Sequence, residues 1–231
     1  MRFLRRHCPP WFPKGLVAPL ALLTALALLV AVAGVIFRAA LPYQWQYLLW
    51  NMLLAGLPLF FACAALWAQH KKHRLLALPL LLFWLLFYPN APYMLTDFIH
   101  LRHYVFEFDN SVFSTDPAAW FGFMFLCGGS VAGCCCGMLS LILLHRHTAR
   151  KYGKAIGWLL AAGTTLLSGA GVWIGRCMRF NSWDIWHRPL HLLRSVAEQF
   201  DRDSLLLCIL FTAMSAGAYL LLRSFLPEES K

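Results

Sequence analysis

The chain has 231 residues with 20 Lys and Arg against 10 Asp and Glu, a net charge of +10, yet only 13% of its residues are charged and 60% are hydrophobic. Soluble domains carry about one quarter charged residues, so a chain this apolar lacks the polar surface to cover a water-facing core, and a soluble globular protein is excluded. No nucleic-acid module accompanies the positive charge, which is read as a membrane-orientation signal and not as a nucleic-acid footprint.

Six apolar stretches approach the ~20 residues needed to cross a bilayer core of about 30 Å. They are predicted as helices, because backbone groups cannot stay unpaired in lipid and barrel strands would show short alternating segments. The first covers 15–37. Its start is basic (Arg2, Arg5, Arg6) and Ala31-Val32-Ala33 resembles a cleavage site, but the apolar run exceeds the roughly 7–15 residues of a signal-peptide core. The second covers 46–68, and the third covers 75–94, interrupted near Pro89. The fourth, fifth and sixth cover 119–144, 155–175 and 204–222. The expected architecture is an all-α, polytopic bundle forming a single integral-membrane domain over 1–231.

Thirteen of the twenty basic residues fall in the N-terminal arm, the second-to-third and fourth-to-fifth loops, and the C-terminal tail. The positive-inside rule then places both termini in the cytoplasm. Eight of the ten acidic residues fall on the other side. Gly129, Gly133 and Gly137 recur every four residues in the fourth span, as do Gly171 and Gly175 in the fifth; small residues at this spacing let helices approach closely in lipid. Cys134, Cys135 and Cys136 sit in mid-span, as small apolar residues. Cys177 and Cys208 both fall near the outer face, where a disulfide is open to them.

The third span runs from Leu75 to Tyr88 before its first proline. Fourteen helical residues cover only about 21 Å at ~1.5 Å each. That is short of the bilayer core, so Pro89 and Pro92 fall at membrane depth. Broken helices at that depth are tolerated inside protein or beside a wet cavity and mark binding sites in transporters; a plain proline kink is the simpler alternative. If a helix resumes beyond the break, Asp97, His100 and Glu107 share a face, with His103 near its edge. A carboxylate one turn from a histidine can orient the imidazole, do acid/base work or supply two metal ligands, or it can be a structural ion pair.

The fifth span ends in Gly175-Arg176-Cys177-Met178-Arg179-Phe180-Asn181-Ser182-Trp183-Asp184. Two arginines at the outer end need counter-charges, either Asp97 and Asp184 or an anionic lipid or phosphate group. Asp97, His100, Arg179 and Asp184 are expected to converge in one outer pocket. Downstream, Trp186, Leu190, Leu193, Val196, Ala197 and Phe200 recur at helical spacing, as an amphipathic helix on the outer membrane surface would require. His187 and His191 have a metal pair's spacing, but Pro189 between them makes an interfacial histidine face the better reading. No histidine falls in the middle of a predicted span, and neither a P-loop, a Rossmann glycine pattern, G-x-S-x-G nor H-E-x-x-H is present.

The run Tyr88-Pro89-Asn90-Ala91-Pro92-Tyr93, with Thr96-Asp97-Phe98-Ile99-His100-Leu101, resembles the signature of a bacterial membrane family, domain of unknown function 1361. Arg179-Phe180-Asn181-Ser182-Trp183-Asp184 is similar to that family's second motif. The resemblance spans about Tyr47 to Pro189 and implies a multi-pass protein of the bacterial inner membrane, with no reaction or cofactor assigned. The candidate residues are then Asp97 and His100 for catalysis, and Asn90, Tyr93, Thr96, Arg176, Arg179, Asn181, Trp183 and Asp184 for binding. Two classes of function fit. One is an outward-facing site for an anionic or lipid-like ligand, which extends to a metal- or acid/base-dependent envelope enzyme. The other is a transporter or assembly component whose broken third span lines a cavity.

Overall fold

All six apolar stretches are helical in the computed structural model, which describes residues 14–36, 45–103, 107–108, 112–113 and 115–226. Arg2, Arg5 and Arg6 of the N-terminal arm, Arg38 and the tail residues Glu228, Glu229 and Lys231 lie outside the described residues. A short 3-10 turn leads into α1 (Val17–Ile36), followed by α2 (Trp45–His70) and α3 (Arg74–Phe87). Beyond Pro89 come a one-turn helix, α4 (Asn90–Tyr93), and a 3-10 segment over Met94–His103. A two-residue antiparallel ladder, β1 (Glu107–Phe108) with β2 (Val112–Phe113), precedes α5 (Pro117–Tyr152). The chain closes with α6 (Lys154–Arg176), α7 (Asp184–His187), α8 (Pro189–Gln199) and α9 (Arg202–Ser224).

Local chemistry sets the helix ends. Asp116 caps α5 by accepting from the Ala118 N–H at 3.0 Å, with Pro117 in the first turn where its missing N–H costs nothing. Asp201 caps α9 by accepting from the Ser204 N–H at 2.8 Å, and its hydrogen bonding with Ser204 holds its carboxyl below its ordinary range. Gly153, at φ 100°, separates α5 from α6, in a conformation that L side chains rarely adopt.

The fourth span is longer than the sequence pattern suggests. The apolar stretch ends at Leu144, but the helix continues through His145, Arg146 and His147 to Tyr152. Arg150 and Lys151 in its last turn complement the negative end of the helix dipole, so the polar residues extend the helix instead of ending it. At 36 residues α5 is about 54 Å long by its ~1.5 Å rise, so its last turns project beyond a bilayer core.

Residue contacts define two ends of the bundle. At one, the His147 ring meets Gln69 at 3.0 Å, His145 Nδ1 hydrogen-bonds the Tyr219 hydroxyl, and Arg223 lies 4.3 Å over the Trp158 ring. The basic loop at 71–73 lies here, as does the turn at Gly153 with Lys151 and Lys154 on either side. At the other end, Asn51 and Arg176 meet at Asp97. The six long helices alternate in direction, so the described chain starts and finishes at the basic end. The His145 cluster is the feature the span pattern misses, because its first member lies just past the apolar run.

The core lies around α5. Trp84 of α3 donates to the Ser140 hydroxyl at 2.9 Å, which donates onward to the Gly137 carbonyl at 2.6 Å, so these buried polar groups are satisfied. The glycine stripe packs as anticipated. A Cβ at Gly129 would lie 2.8 Å from Leu48, one at Gly133 2.8 Å from Met94, and one at Gly137 2.1 Å from the Ala91 Cβ. Gly171 does the same for Pro89, at 2.6 Å from its ring. Cys177 and Cys208 are both free thiols.

The expected resumption of a regular helix as far as Glu107 is not what forms. A 3-10 segment runs from Met94 to His103, and Glu107 opens β1, outside the helix expected to carry Asp97 and His100. In a 3-10 helix residues i and i+3 eclipse. Met94 and Asp97 therefore stack below Tyr88 and Ala91 on one edge, and all four are at most 2% exposed.

Gly137→Ala should lower the unfolding midpoint in detergent, by about 1–3 kcal/mol of overpacking, because Ala91 belongs to buried backbone. Gly163→Ala, with nothing within 4 Å of the added methyl, should be neutral or stabilising. Equal effects at both positions would remove the packing role given to the stripe.

Candidate functional site

Asp97 organises the far end of the bundle. It sits on the buried edge of the 3-10 segment, with 2% exposure. One carboxylate oxygen is hydrogen-bonded and ion-paired to Arg176 Nη2, and the other accepts from Asn51 Nδ2 at 3.1 Å. Arg176 Nε donates to the Thr96 hydroxyl at 2.7 Å, which donates to the Tyr93 carbonyl at 2.6 Å. The Arg176 guanidinium also lies 3.9 Å over the Tyr93 ring. These contacts make this arginine a tie between α6 and the broken third span.

The counter-charge of Asp97 is thus Arg176 and not Arg179. Arg176 is the last helical residue of α6, beside Gly175, against which the Tyr93 ring lies. Arg179 lies beyond the helix with φ 60°, a left-handed conformation unusual for a long side chain. It makes no hydrogen bond or ion pair among the described residues, is exposed, and lines the cavity described below. Asp184 is likewise not part of an ion pair with these arginines. Its carboxylate accepts from the Asn181 backbone N–H at 2.7 Å and closes the turn that leads into α7. The four residues expected in one pocket thus divide: Asp97 lies buried behind it, His100 and Arg179 line it, and Asp184 shapes its rim.

The two motifs meet although some 90 residues separate them. Asn90 Nδ2 donates to the Phe87 carbonyl at 2.9 Å and to the Ser182 hydroxyl at 3.1 Å. Trp183 stands edge-on to Trp50 at 6.3 Å. His100 Nε2 is 4.0 Å from the Asp97 carboxylate, an electrostatic neighbour beyond hydrogen-bond distance. No third His, Cys, Asp or Glu joins these two in a metal-binding group among the described residues. Burial pushes the Cys177 thiol up from its ordinary value, only partly opposed by Arg176, so it stays a protonated thiol and a poor nucleophile at neutral pH.

A cavity of about 800 Å³ lies between α2, α3 and α6. Its polar end is formed by Asn51, Asn90, His100, Arg176, Arg179 and Ser182. Its long walls are apolar, with Leu82 and Leu86 on α3 facing Leu167 and Ile174 on α6. The segment after α6 roofs it through Phe180, Ile185 and Leu192. Trp186 of α7 lies 6.3 Å from the Phe83 ring, which seats the roof on α3. The expected single amphipathic helix is two: α7 and α8 are separated at Arg188, whose φ −144° and ψ 53° are non-helical. His187 and His191 therefore lie on different helices, and His191 packs against the Phe180 ring at 5.6 Å. The apolar face of α8 is not buried by protein: Leu190 is 81% exposed. Phe200 at its end meets Trp173 at 5.7 Å and ties it to α6.

If the Asp97–Arg176 pair is a structural tie, Asp97→Ala and Arg176→Ala should each cost about 3–5 kcal/mol, the usual penalty for leaving one buried partner unpaired. Arg176 retains some exposure, which places its loss at the lower end. Arg179→Ala should stay within about 0.5 kcal/mol of the parent. Thermal unfolding in detergent checks this, and a destabilised Arg179→Ala beside a stable Arg176→Ala would reverse the assignment.

A family model described as protein of unknown function (DUF1361) matches residues 50–216. That stretch contains both motifs, every cavity-lining residue and most of five of the six long helices. No curated protein and no solved structure matches the chain.

Proposed function

The chain belongs to the DUF1361 family of proteins of unknown function, and from its cavity we propose that it is a membrane protein whose site binds an anionic, lipid-like ligand. The observation that carries this reading is the division of the cavity into a cationic end and apolar walls. Arg176 is consumed by Asp97, Thr96 and Tyr93, which leaves Arg179 as the cation available to a ligand. No acidic side chain lines the cavity among the described residues. An arginine fork suits carboxylate and phosphate oxygens. Asn90, Asn181 and Ser182 supply further polar groups at that end, and Tyr93, Thr96, Trp183 and Asp184 hold the frame.

The strained backbone at Arg179 supports the reading. A non-glycine residue held in a sparsely populated conformation costs about 1–3 kcal/mol and persists only where its surroundings fix it; Lys72 shares it in a surface loop, but Arg179 is the one that lines the cavity. Glycine there would relieve the strain and delete the cation. Arg179→Gly should therefore unfold at an equal or higher temperature than the parent while retaining less anionic lipid through purification. A destabilised variant that keeps its lipid would contradict the proposal on both counts.

The setting we infer is the inner membrane of a bacterium, with both termini cytoplasmic and the cavity at the outer side. The concentration of basic residues at the opposite end supports this. Alkaline phosphatase fused after Arg188 should be active, and a fluorescent protein fused after Ser224 should fluoresce; the opposite pair of results would invert the orientation.

A second reading, an envelope enzyme, is favoured by His100, which faces the cavity beside the Asp97 carboxylate. As an acid/base group it should be dispensable for stability and essential for activity. A stable His100→Ala protein that fully complements a deletion strain would remove it from catalysis.

A further inference from the structure

Resting on that reading of the cavity, we propose that its ligand is a phosphate-headed lipid that slides in from the bilayer between α3 and α6 and lays a chain in the gap between them. A soluble anion needs only the polar end. The remainder of the cavity is a separate observation, and it has the form of a chain seat.

Three features point to this. First, Leu82 and Leu167 both line the cavity, yet they are 61% and 57% exposed. The same side chains thus face the cavity and the outer apolar surface, so the wall is open where lipid would lie. Second, the apolar part runs along the bundle and not across it. The lining extends on α6 from Leu167 to Arg176 and on the third span from Leu82 to Asn90. Along α6 that is about 13 Å at ~1.5 Å per helical residue, and along the third span nearly as far. A chain entering here lies parallel to its neighbours in the leaflet, while its head reaches the level of Arg179. Third, the roof is made of interfacial helices. Phe180, Ile185 and Leu192 cover the polar end, and the uncovered apolar face of α8 continues outward. The polar end thus sits beside an apolar interfacial surface, and the side walls present Leu82, Leu86, Leu167 and Ile174.

The break at Pro89 is the reason the gap exists. Upstream of it, α3 runs as one shaft; downstream, α4 and the 3-10 segment turn onto the glycine stripe of α5. The lower shafts of α3 and α6 are left without a helix between them. An aliphatic chain would fill that gap with the same dispersion contacts that helices make elsewhere. The cavity volume of about 800 Å³ is within the common range of roughly 300–1,000 Å³ for ligand sites.

The test uses the full chain in non-ionic detergent, with tryptophan fluorescence as the signal and three probes. Oleoyl lysophosphatidic acid has head and chain, glycerol 3-phosphate has the head alone, and monoolein has the chain alone. The proposal expects lysophosphatidic acid to bind tighter than either of the others by about tenfold or more. Arg179→Gln should remove its advantage over monoolein. Leu167→Trp, which fills the gap, should remove its advantage over glycerol 3-phosphate, and Leu82→Trp provides the same test from the opposite wall should one variant fail to fold. If lysophosphatidic acid beats monoolein but not glycerol 3-phosphate, and neither tryptophan variant changes this, the chain seat is wrong and the anion site stands. If lysophosphatidic acid binds no tighter than monoolein, or no probe binds at all, the anion site itself is wrong and the lipid proposal falls with it.

Discussion

The fold turns on one constraint: a helix broken at membrane depth must have all its freed surface and polar groups met by protein. The break at Pro89 lies between two glycine faces. Gly133 and Gly137 of α5 receive Met94 and Ala91 on one side, and Gly171 and Gly175 of α6 receive Pro89 and Tyr93 on the other. At Gly133, Gly137 and Gly171 a side chain would collide with the broken segment, whereas at Gly175 it would only touch the Tyr93 ring. Spacing of four along both helices places these glycines one above the next, so the segment is gripped over its length. The charge network follows from this grip. Once the segment is pressed between α5 and α6, Asp97 is buried and must have a partner, and the end of α6 supplies Arg176.

That order of causes explains how the two arginines part. Their spacing, three residues, would put both on one helical face if the helix continued. It stops at Arg176, and the left-handed residue at Arg179 redirects the chain across the cavity. One arginine therefore points into the protein and neutralises a carboxylate, while the other is presented to open space. The cationic end of the cavity exists because the helix ends between them.

Much of this is legible in the sequence, and the parts that are not have physical reasons. The six spans, the break and the two glycine faces are carried by hydropathy, proline and spacing, which act locally. The meeting of the two motifs is legible only as an argument about cost, since lone charges at that depth need partners. Which arginine serves Asp97 depends on where α6 ends, and nothing between Gly175 and Arg179 marks that point. Gly153 marks the end of α5, but the charged residues before it obscure the signal by resembling a loop. His145 escapes the pattern for that reason. It lies one residue beyond the apolar run, yet it packs inside the basic end against Tyr219 and Trp158.

The placement of the polar groups also bears on how the site can work. A buried ion pair seldom adds stability over well-packed apolar residues, so its presence calls for a further reason. Here the pair is tied to Thr96, Tyr93 and Asn51, which fixes the floor of the cavity as one rigid unit. Arg179 stands outside that unit on a strained turn, and Asp184 and Asn181 hold the turn from the other side. A ligand that engages Arg179 would meet a cation whose backbone is fixed by the turn, and a floor already tied together by hydrogen bonds. Such pre-organisation lowers the cost of binding. It also separates stability from recognition: Asp97 and Arg176 are paired with each other, and the arginine proposed to read the ligand has no such partner among the described residues.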